Sequence, residues 1–70
     1  MNKHTKLLLE RDHIIHDNGD DSRPEIVNRI TWFVSKRISL STLSRWHRKG
    51  LVEIIKLGPG CEVEFGLVKK

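Results

Sequence analysis

The chain has 70 residues, of which 37% are hydrophobic, and its 13 basic and 9 acidic residues give a net charge of +4. A chain of this length forms one small domain with a modest core, which excludes a large enclosed active site. We therefore expect no enzymatic activity, no cofactor and no small-molecule substrate. The single cysteine, Cys61, excludes an intramolecular disulfide.

Residues 1–21 are predicted to form an N-terminal extension. Periodicity leaves its structure open, because Leu7 to Leu9 and Ile14-Ile15 fit one side of a short helix, while the runs KLLLE and HIIH also fit two short strands. The leucines are equally consistent with a core and with a partner surface. Three consecutive leucines are too few for a signal peptide or a membrane span, so we expect a cytoplasmic protein that binds no membrane.

Residues 22–70 are predicted to form the main domain, which begins with a helix from about Pro24 to Lys36. Ser22 and Glu25 have the spacing of a capping box, and a proline is tolerated in the first helical turn. Apolar residues then recur at helical spacing as one stripe: Ile26, Val27, Ile30, Phe33 and Val34.

A second helix is predicted to follow with almost no loop. Ser39 is a favourable N-cap, the helix extends from Leu40 to about Lys49, and Gly50 occupies the position that favours a left-handed residue. Its inner face is formed by residues spaced three apart: Leu40, Leu43 and Trp46. Two helices joined by a short turn are typical of a helix-turn-helix.

The remaining chain predicts a β-hairpin. The run LVEIIKL is apolar and β-branched, GPG at residues 58–60 is a strong turn signal, and CEVEFGLV alternates apolar and acidic residues. The predicted fold class is therefore α+β, a small winged helix-turn-helix with two or three helices and a C-terminal β-hairpin wing.

The positive charge is concentrated in residues 23–49, which hold seven basic residues against Glu25 alone. Such a block is typical of a nucleic-acid binder, and a basic helix fits the major groove of DNA. The predicted outer face of the second helix comprises Ser41, Thr42, Ser44, Arg45, Arg48 and Lys49. Arginine can bind guanine with two parallel hydrogen bonds, and hydroxyl groups bind phosphates or bases. Lys36 and Arg37, at the turn, are expected to contact flanking phosphates.

The second helix and the hairpin resemble the small phage excisionases of the lambda type, which share an S-L-x-T-V-x-R-W-x-R helix and a G-x-E-x-x-F ending to the wing. The matching residues here are Ser39-Leu40-x-Thr42-Leu43-x-Arg45-Trp46-x-Arg48 and Gly60-Cys61-Glu62-Val63-Glu64-Phe65. The stretch from Ser39 to Val52 is also similar to the DNA-binding end of regulators of the mercury-resistance (MerR) type.

The resemblance implies a winged helix with the second helix in the major groove and the wing in the adjacent minor groove. It also implies cooperative binding to repeated sites, DNA bending and a partner recombinase. The helix contacts it implies are Ser41, Thr42, Arg45 and Arg48. Cys61 stands where the family has an arginine, so Lys56 is the only basic residue of the wing.

We therefore expect a double-stranded DNA-binding protein of a mobile element, acting as an excisionase in DNA recombination or as a small transcription regulator. Its expected partners besides DNA are a recombinase or further copies of the chain on DNA. The alternative is a protein-interaction module whose N-terminal extension binds a recombinase, a polymerase or a host defence protein. RNA binding is less favoured, because the sequence shows no exposed aromatic pair for stacking. His13 and His16 are two candidate metal ligands without a third, so we expect no metal site.

Overall fold

The computed structural model describes residues 1–19 and 23–68, which form two helices and a five-stranded antiparallel sheet. The elements in chain order are α1 (Lys3–Glu10), β1 (His13–Asp17), β2 (Glu25–Asn28), β3 (Val34–Arg37), α2 (Leu40–Arg48), β4 (Val52–Leu57) and β5 (Val63–Leu67). The strand order is β3-β2-β1-β5-β4, so the first 17 residues supply both a helix and the central strand.

This architecture contradicts the predicted winged helix-turn-helix. The segment predicted as the first helix, Pro24 to Lys36, forms the β2–β3 hairpin instead, so the element directly before α2 is a strand and the two-helix motif is not formed. Ser22, the proposed cap of that helix, lies outside the described residues. The C-terminal hairpin is not a separate wing, because β5 pairs with β1 and closes one continuous sheet.

The physical reason for the β2–β3 hairpin lies in its residue types. Isoleucine, valine and threonine lose side-chain freedom in a helix and are favoured on a pleated strand. Asn28 adds a local competitor, because its Oδ1 accepts from the backbone amides of Ile30 at 2.8 Å and Thr31 at 3.1 Å. An asparagine that binds nearby amides in this way stabilises a turn at the expense of a helix.

Two predicted elements, α2 and the C-terminal hairpin, are confirmed. α2 begins after Ser39, whose Oγ accepts from the Thr42 amide at 3.1 Å, and Gly50 follows the helix with φ of 73°. β4 and β5 form the predicted antiparallel hairpin. In the N-terminal segment, whose structure periodicity left open, KLLLE is helical and HIIH is a strand.

Both helices pack against the same face of the sheet. Their apolar side chains join those of the strands in one buried cluster, formed by Leu9, Ile15, Ile26, Ile38, Leu43, Trp46, Val52 and Phe65. Leu8 packs against this cluster, while Leu7 is 43% exposed. The leucine segment therefore contributes mainly to the core, which was one of its two interpretations.

No helix of the described residues covers the opposite face, which we call the open face. A row of directly opposed residues crosses all five strands on this face: Arg37, Glu25, His16, Glu64 and Lys56. The Arg37 Nε donates to Glu25 Oε2 at 3.1 Å. The row shows that strand register places charged side chains away from the helices.

Gly19 provides a sharp test of how the loops pack. A Cβ at this position would overlap the side chain and the backbone carbonyl of Cys61 in the β4–β5 turn, and its φ is 76°. Gly60 has a similar φ of 75° but open space around it. Since a left-handed residue with a Cβ costs about 1–2 kcal/mol and overpacking about 1–3 more, we expect Gly19→Ala to lower the free energy of unfolding by about 2–5 kcal/mol. Gly60→Ala should lose only about 1–2 kcal/mol, the cost of the left-handed conformation. Urea titrations measure both variants, and equal losses of unfolding free energy would contradict the close approach of Gly19 to Cys61.

Candidate nucleic-acid interface

α2 is fixed by a cap at one end and two buried side chains on its inner face. Ser39 caps the first turn, and its Oγ also lies 2.7 Å from Thr42 Oγ1. Leu43 and Trp46, three residues apart, are 2% and 6% exposed and belong to the core cluster. Leu40, predicted to join them, is instead 58% exposed at the start of the helix. The buried pair determines which side of the helix faces solvent.

The outer face of α2 carries positive charge and hydroxyl groups without any carboxylate. Ser41, Ser44, Arg45 and Arg48 are all exposed, and no acidic residue occurs anywhere in Leu40–Arg48. Ser41, Arg45 and Arg48 lie four and three positions apart, so they form one stripe along the helix. Within residues 1–19 and 23–68 neither arginine makes a salt bridge. Both guanidinium groups are therefore available to an anionic ligand.

Two further predicted residues of this helix occupy different environments. Thr42 is only partly exposed, and its hydroxyl already interacts with Ser39. Lys49 is the C-cap residue and is exposed, so it extends the positive charge beyond the last turn. His47 is exposed, but its ring meets Phe65 edge-on with the ring centroids 5.5 Å apart. The exposed cationic residues of this region are thus Arg45, Arg48 and Lys49.

The predicted phosphate contacts at the turn are engaged within the chain. The Lys36 ammonium group donates to Thr5 Oγ1 at 3.3 Å, which ties β3 to α1. Arg37 is paired with Glu25 on the open face. Lys56 lies opposite Glu64 on that same face, across the sheet from α2. The structure therefore brings together the predicted residues on α2, and separates Arg37 and Lys56 from them.

The β2–β3 turn is a surface that sequence reasoning missed. Ile30, Trp32 and Phe33 are 70%, 53% and 75% exposed, although Ile30 and Phe33 were predicted in the apolar stripe of a helix. The prediction that the chain has no exposed aromatic pair is therefore wrong, because Trp32 and Phe33 are both exposed. Asn28, a turn-favouring residue in the middle of the segment, is the signal that could have identified this turn.

The two candidate metal ligands lie on opposite faces of β1. His13 and His16 lie three residues apart on β1, and because side chains alternate along a strand, they project to opposite faces. His13 Nε2 lies 3.0 Å from Ser35 Oγ, and His16 Nε2 lies 2.8 Å from Asn18 Oδ1. Among the described residues, no three His, Cys, Asp or Glu side chains gather at a common point.

Neither α1 nor α2, the two helices within the described ranges, has the length and apolar character that crossing a bilayer requires. No protein-family model matches the chain, and no curated protein and no solved structure is significantly similar to it.

Proposed function

We propose that this chain binds double-stranded DNA through the outer face of α2. The observation that carries the proposal is the stripe of Ser41, Arg45 and Arg48, which is exposed and free of carboxylates on a helix whose inner face is fixed in the core. Neutralising phosphates with arginine releases counterions from DNA, and this electrostatic contribution dominates affinity.

The dimensions of α2 suit the major groove. A helix with its side chains is about 10–12 Å across and the groove is about 12 Å wide. The nine residues of α2 extend roughly 14 Å along the helix axis, which corresponds to about four base-pair steps. Arg45 and Arg48 are then positioned to reach base edges or phosphates, and the serine hydroxyls to bond phosphates at close approach.

The biological output that we propose is the one expected from the sequence, namely excision or transcription control for a mobile element. The support is the run of residues from Ser39 to Arg48, which is helical and capped as the excisionase resemblance requires. The winged-helix part of that resemblance is excluded by the sheet. A recombinase or a second copy bound alongside on DNA belongs to the same proposal.

The protein-interaction alternative loses part of its support. It relied on the acidic N-terminal third and its leucines, of which Leu9 is buried and Leu8 packs against the core, while Leu7 is 43% exposed. The exposed β2–β3 turn, with Ile30, Trp32 and Phe33, offers a further apolar surface to a partner.

A direct titration tests DNA binding. We expect a random-sequence duplex to bind with a micromolar dissociation constant in low salt, and the affinity to fall steeply as salt is raised. Fluorescence anisotropy of a labelled duplex of about 20 base pairs at two salt concentrations provides the measurement. Absence of binding at low salt would exclude the proposal, and a salt-independent affinity would exclude its electrostatic basis.

A further inference from the structure

The tip of the β2–β3 hairpin, residues 29–33, exposes three large apolar side chains. Ile30 and Phe33 are the most exposed of its side chains, at 70% and 75%, and Trp32 is 53% exposed. Single exposed apolar residues are ordinary, but a cluster of this kind marks an interaction site.

The tip is held in one conformation by its own hydrogen bonds. Asn28 Oδ1 accepts from two amides of the turn, the Trp32 amide donates to the Asn28 carbonyl at 2.7 Å, and the Asn28 amide donates to the Phe33 carbonyl at 3.0 Å. Trp32 adopts φ of 64°, in the left-handed region that large side chains rarely occupy. Strained residues persist where the surroundings fix them, and they cluster at functional sites.

The tip is also anchored to the rest of the domain. The Arg29 amide donates to the Asp12 carbonyl at 2.8 Å, and the Arg29 Nε lies 4.0 Å from Asp12 Oδ1. The Trp32 ring meets His16 edge-on over the open face, with the ring centroids 6.2 Å apart. Ile30 and Phe33 therefore project from a rigid base, so inserting them into a partner requires little ordering.

An exposed arginine beside the apolar tip favours a polyanionic partner. Arg29 is the basic residue at the tip itself, whereas Lys36 and Arg37 lie at the other end of the hairpin, opposite Ile26 and Glu25. The Arg29 side chain is 63% exposed next to the apolar tip. Proteins that bind the minor groove combine arginine or lysine with apolar wedges, commonly phenylalanine or isoleucine, inserted between base pairs.

The base of the tip lies at the same end of the sheet as the C-terminal end of α2. Arg29 lines the same open groove at one end of the sheet as Gly50 and Leu51, the residues that follow α2. We propose that the β2–β3 tip is a second DNA contact, in which Phe33 and Ile30 insert between base pairs of the minor groove and kink the duplex that α2 binds. This inference rests on the proposed DNA binding.

Phe33→Ser tests the wedge, with Leu57→Ser as its matched control. Leu57 is 72% exposed at the opposite edge of the sheet, so the control removes a similar apolar side chain outside the tip. The probe is a short duplex with a central TA step, which kinks readily, carrying 2-aminopurine at the step and a fluorophore pair at the ends. Binding of the wild type should bring the two ends of the duplex closer together and increase the fluorescence of the 2-aminopurine.

We expect Phe33→Ser to weaken binding about tenfold and to lose both the kink and the 2-aminopurine signal, while Leu57→Ser retains them. Ile30→Ser should reduce the same signals. If Phe33→Ser and the wild type bind the same duplex and kink it equally, the wedge is overturned and the α2 contact is retained. If the wild type binds no duplex, both proposals fail. The wedge is also overturned if Phe33→Ser abolishes binding to phosphatidylserine vesicles but leaves DNA kinking unchanged. That result would assign the tip to a membrane.

Discussion

Replacing Trp46 by alanine is expected to lower the free energy of unfolding by about 3–5 kcal/mol, the typical cost of removing a buried tryptophan. Trp46 is 6% exposed and joins α2 to the cluster that contains the strand residues. A domain of this length has roughly 4–10 kcal/mol of stability in total. The substitution should therefore lower the melting temperature by at least about 12 °C.

Trp32→Ala is the matched control, because it removes the same side chain from a position that is 53% exposed. We expect this variant to remain within about 1 kcal/mol of the wild type. Urea unfolding followed by circular dichroism measures both changes without relying on tryptophan fluorescence. Similar losses in the two variants would mean that Trp46 does not occupy the central position that its burial indicates.

Trp46 lies on the inner face of α2, but its loss should also weaken DNA binding by the outer face. The buried residues that hold α2 are Leu43 and Trp46 only, and the helix is nine residues long. Helices this short are marginal in water without tertiary packing. A variant that keeps its strands but loses α2 should show reduced helical circular dichroism together with weaker binding to the duplex.

The elements predicted correctly are those whose signals lie within a few residues. α2 was predictable because a capping serine, an apolar spacing of three and a glycine stop all occur between Ser39 and Gly50. The β4–β5 hairpin was predictable from its β-branched strands and the GPG turn. Local chemistry determined these elements, and tertiary context did not overrule it.

The β2–β3 segment was predicted wrongly because two local signals conflict there. The spacing of Ile26, Ile30 and Phe33 fits a helix, while the β-branched residues and Asn28 favour strands and a turn. Pairing of β2 with the central strand β1, including Ile26 opposite Ile15, stabilises the strand conformation. That partner lies in the N-terminal segment, which the sequence alone could not place beside it.

The candidate site was predictable only where it lies on one helix. Helical geometry alone places Arg45 and Arg48 on the same stripe. By contrast, the orientation of Arg37 and Lys56 depends on strand register, because a shift by one residue moves a side chain to the other face. The predicted wing contact therefore depended on an arrangement of strands that local signals do not define.

This division of charge between two faces gives the strongest test of the interface. We expect the double variant Arg45→Ala, Arg48→Ala to weaken duplex binding at least about thirtyfold, since each arginine contact contributes on the order of 1–3 kcal/mol. The slope of the logarithm of affinity against the logarithm of salt concentration should become shallower by about 1.8, because two phosphate contacts disappear.

The matched control is Arg37→Ala, Lys56→Ala, which removes the same net charge from the open face. Because these side chains lie across the sheet from α2, the control should change affinity by less than about tenfold, through long-range attraction that salt screens. Its loss of the Arg37–Glu25 ion pair is an exposed contact and should cost little stability. Anisotropy titrations of both variants at several salt concentrations compare the two faces directly. Equal weakening by the two variants would mean that net charge, rather than the outer face of α2, governs the interaction with DNA.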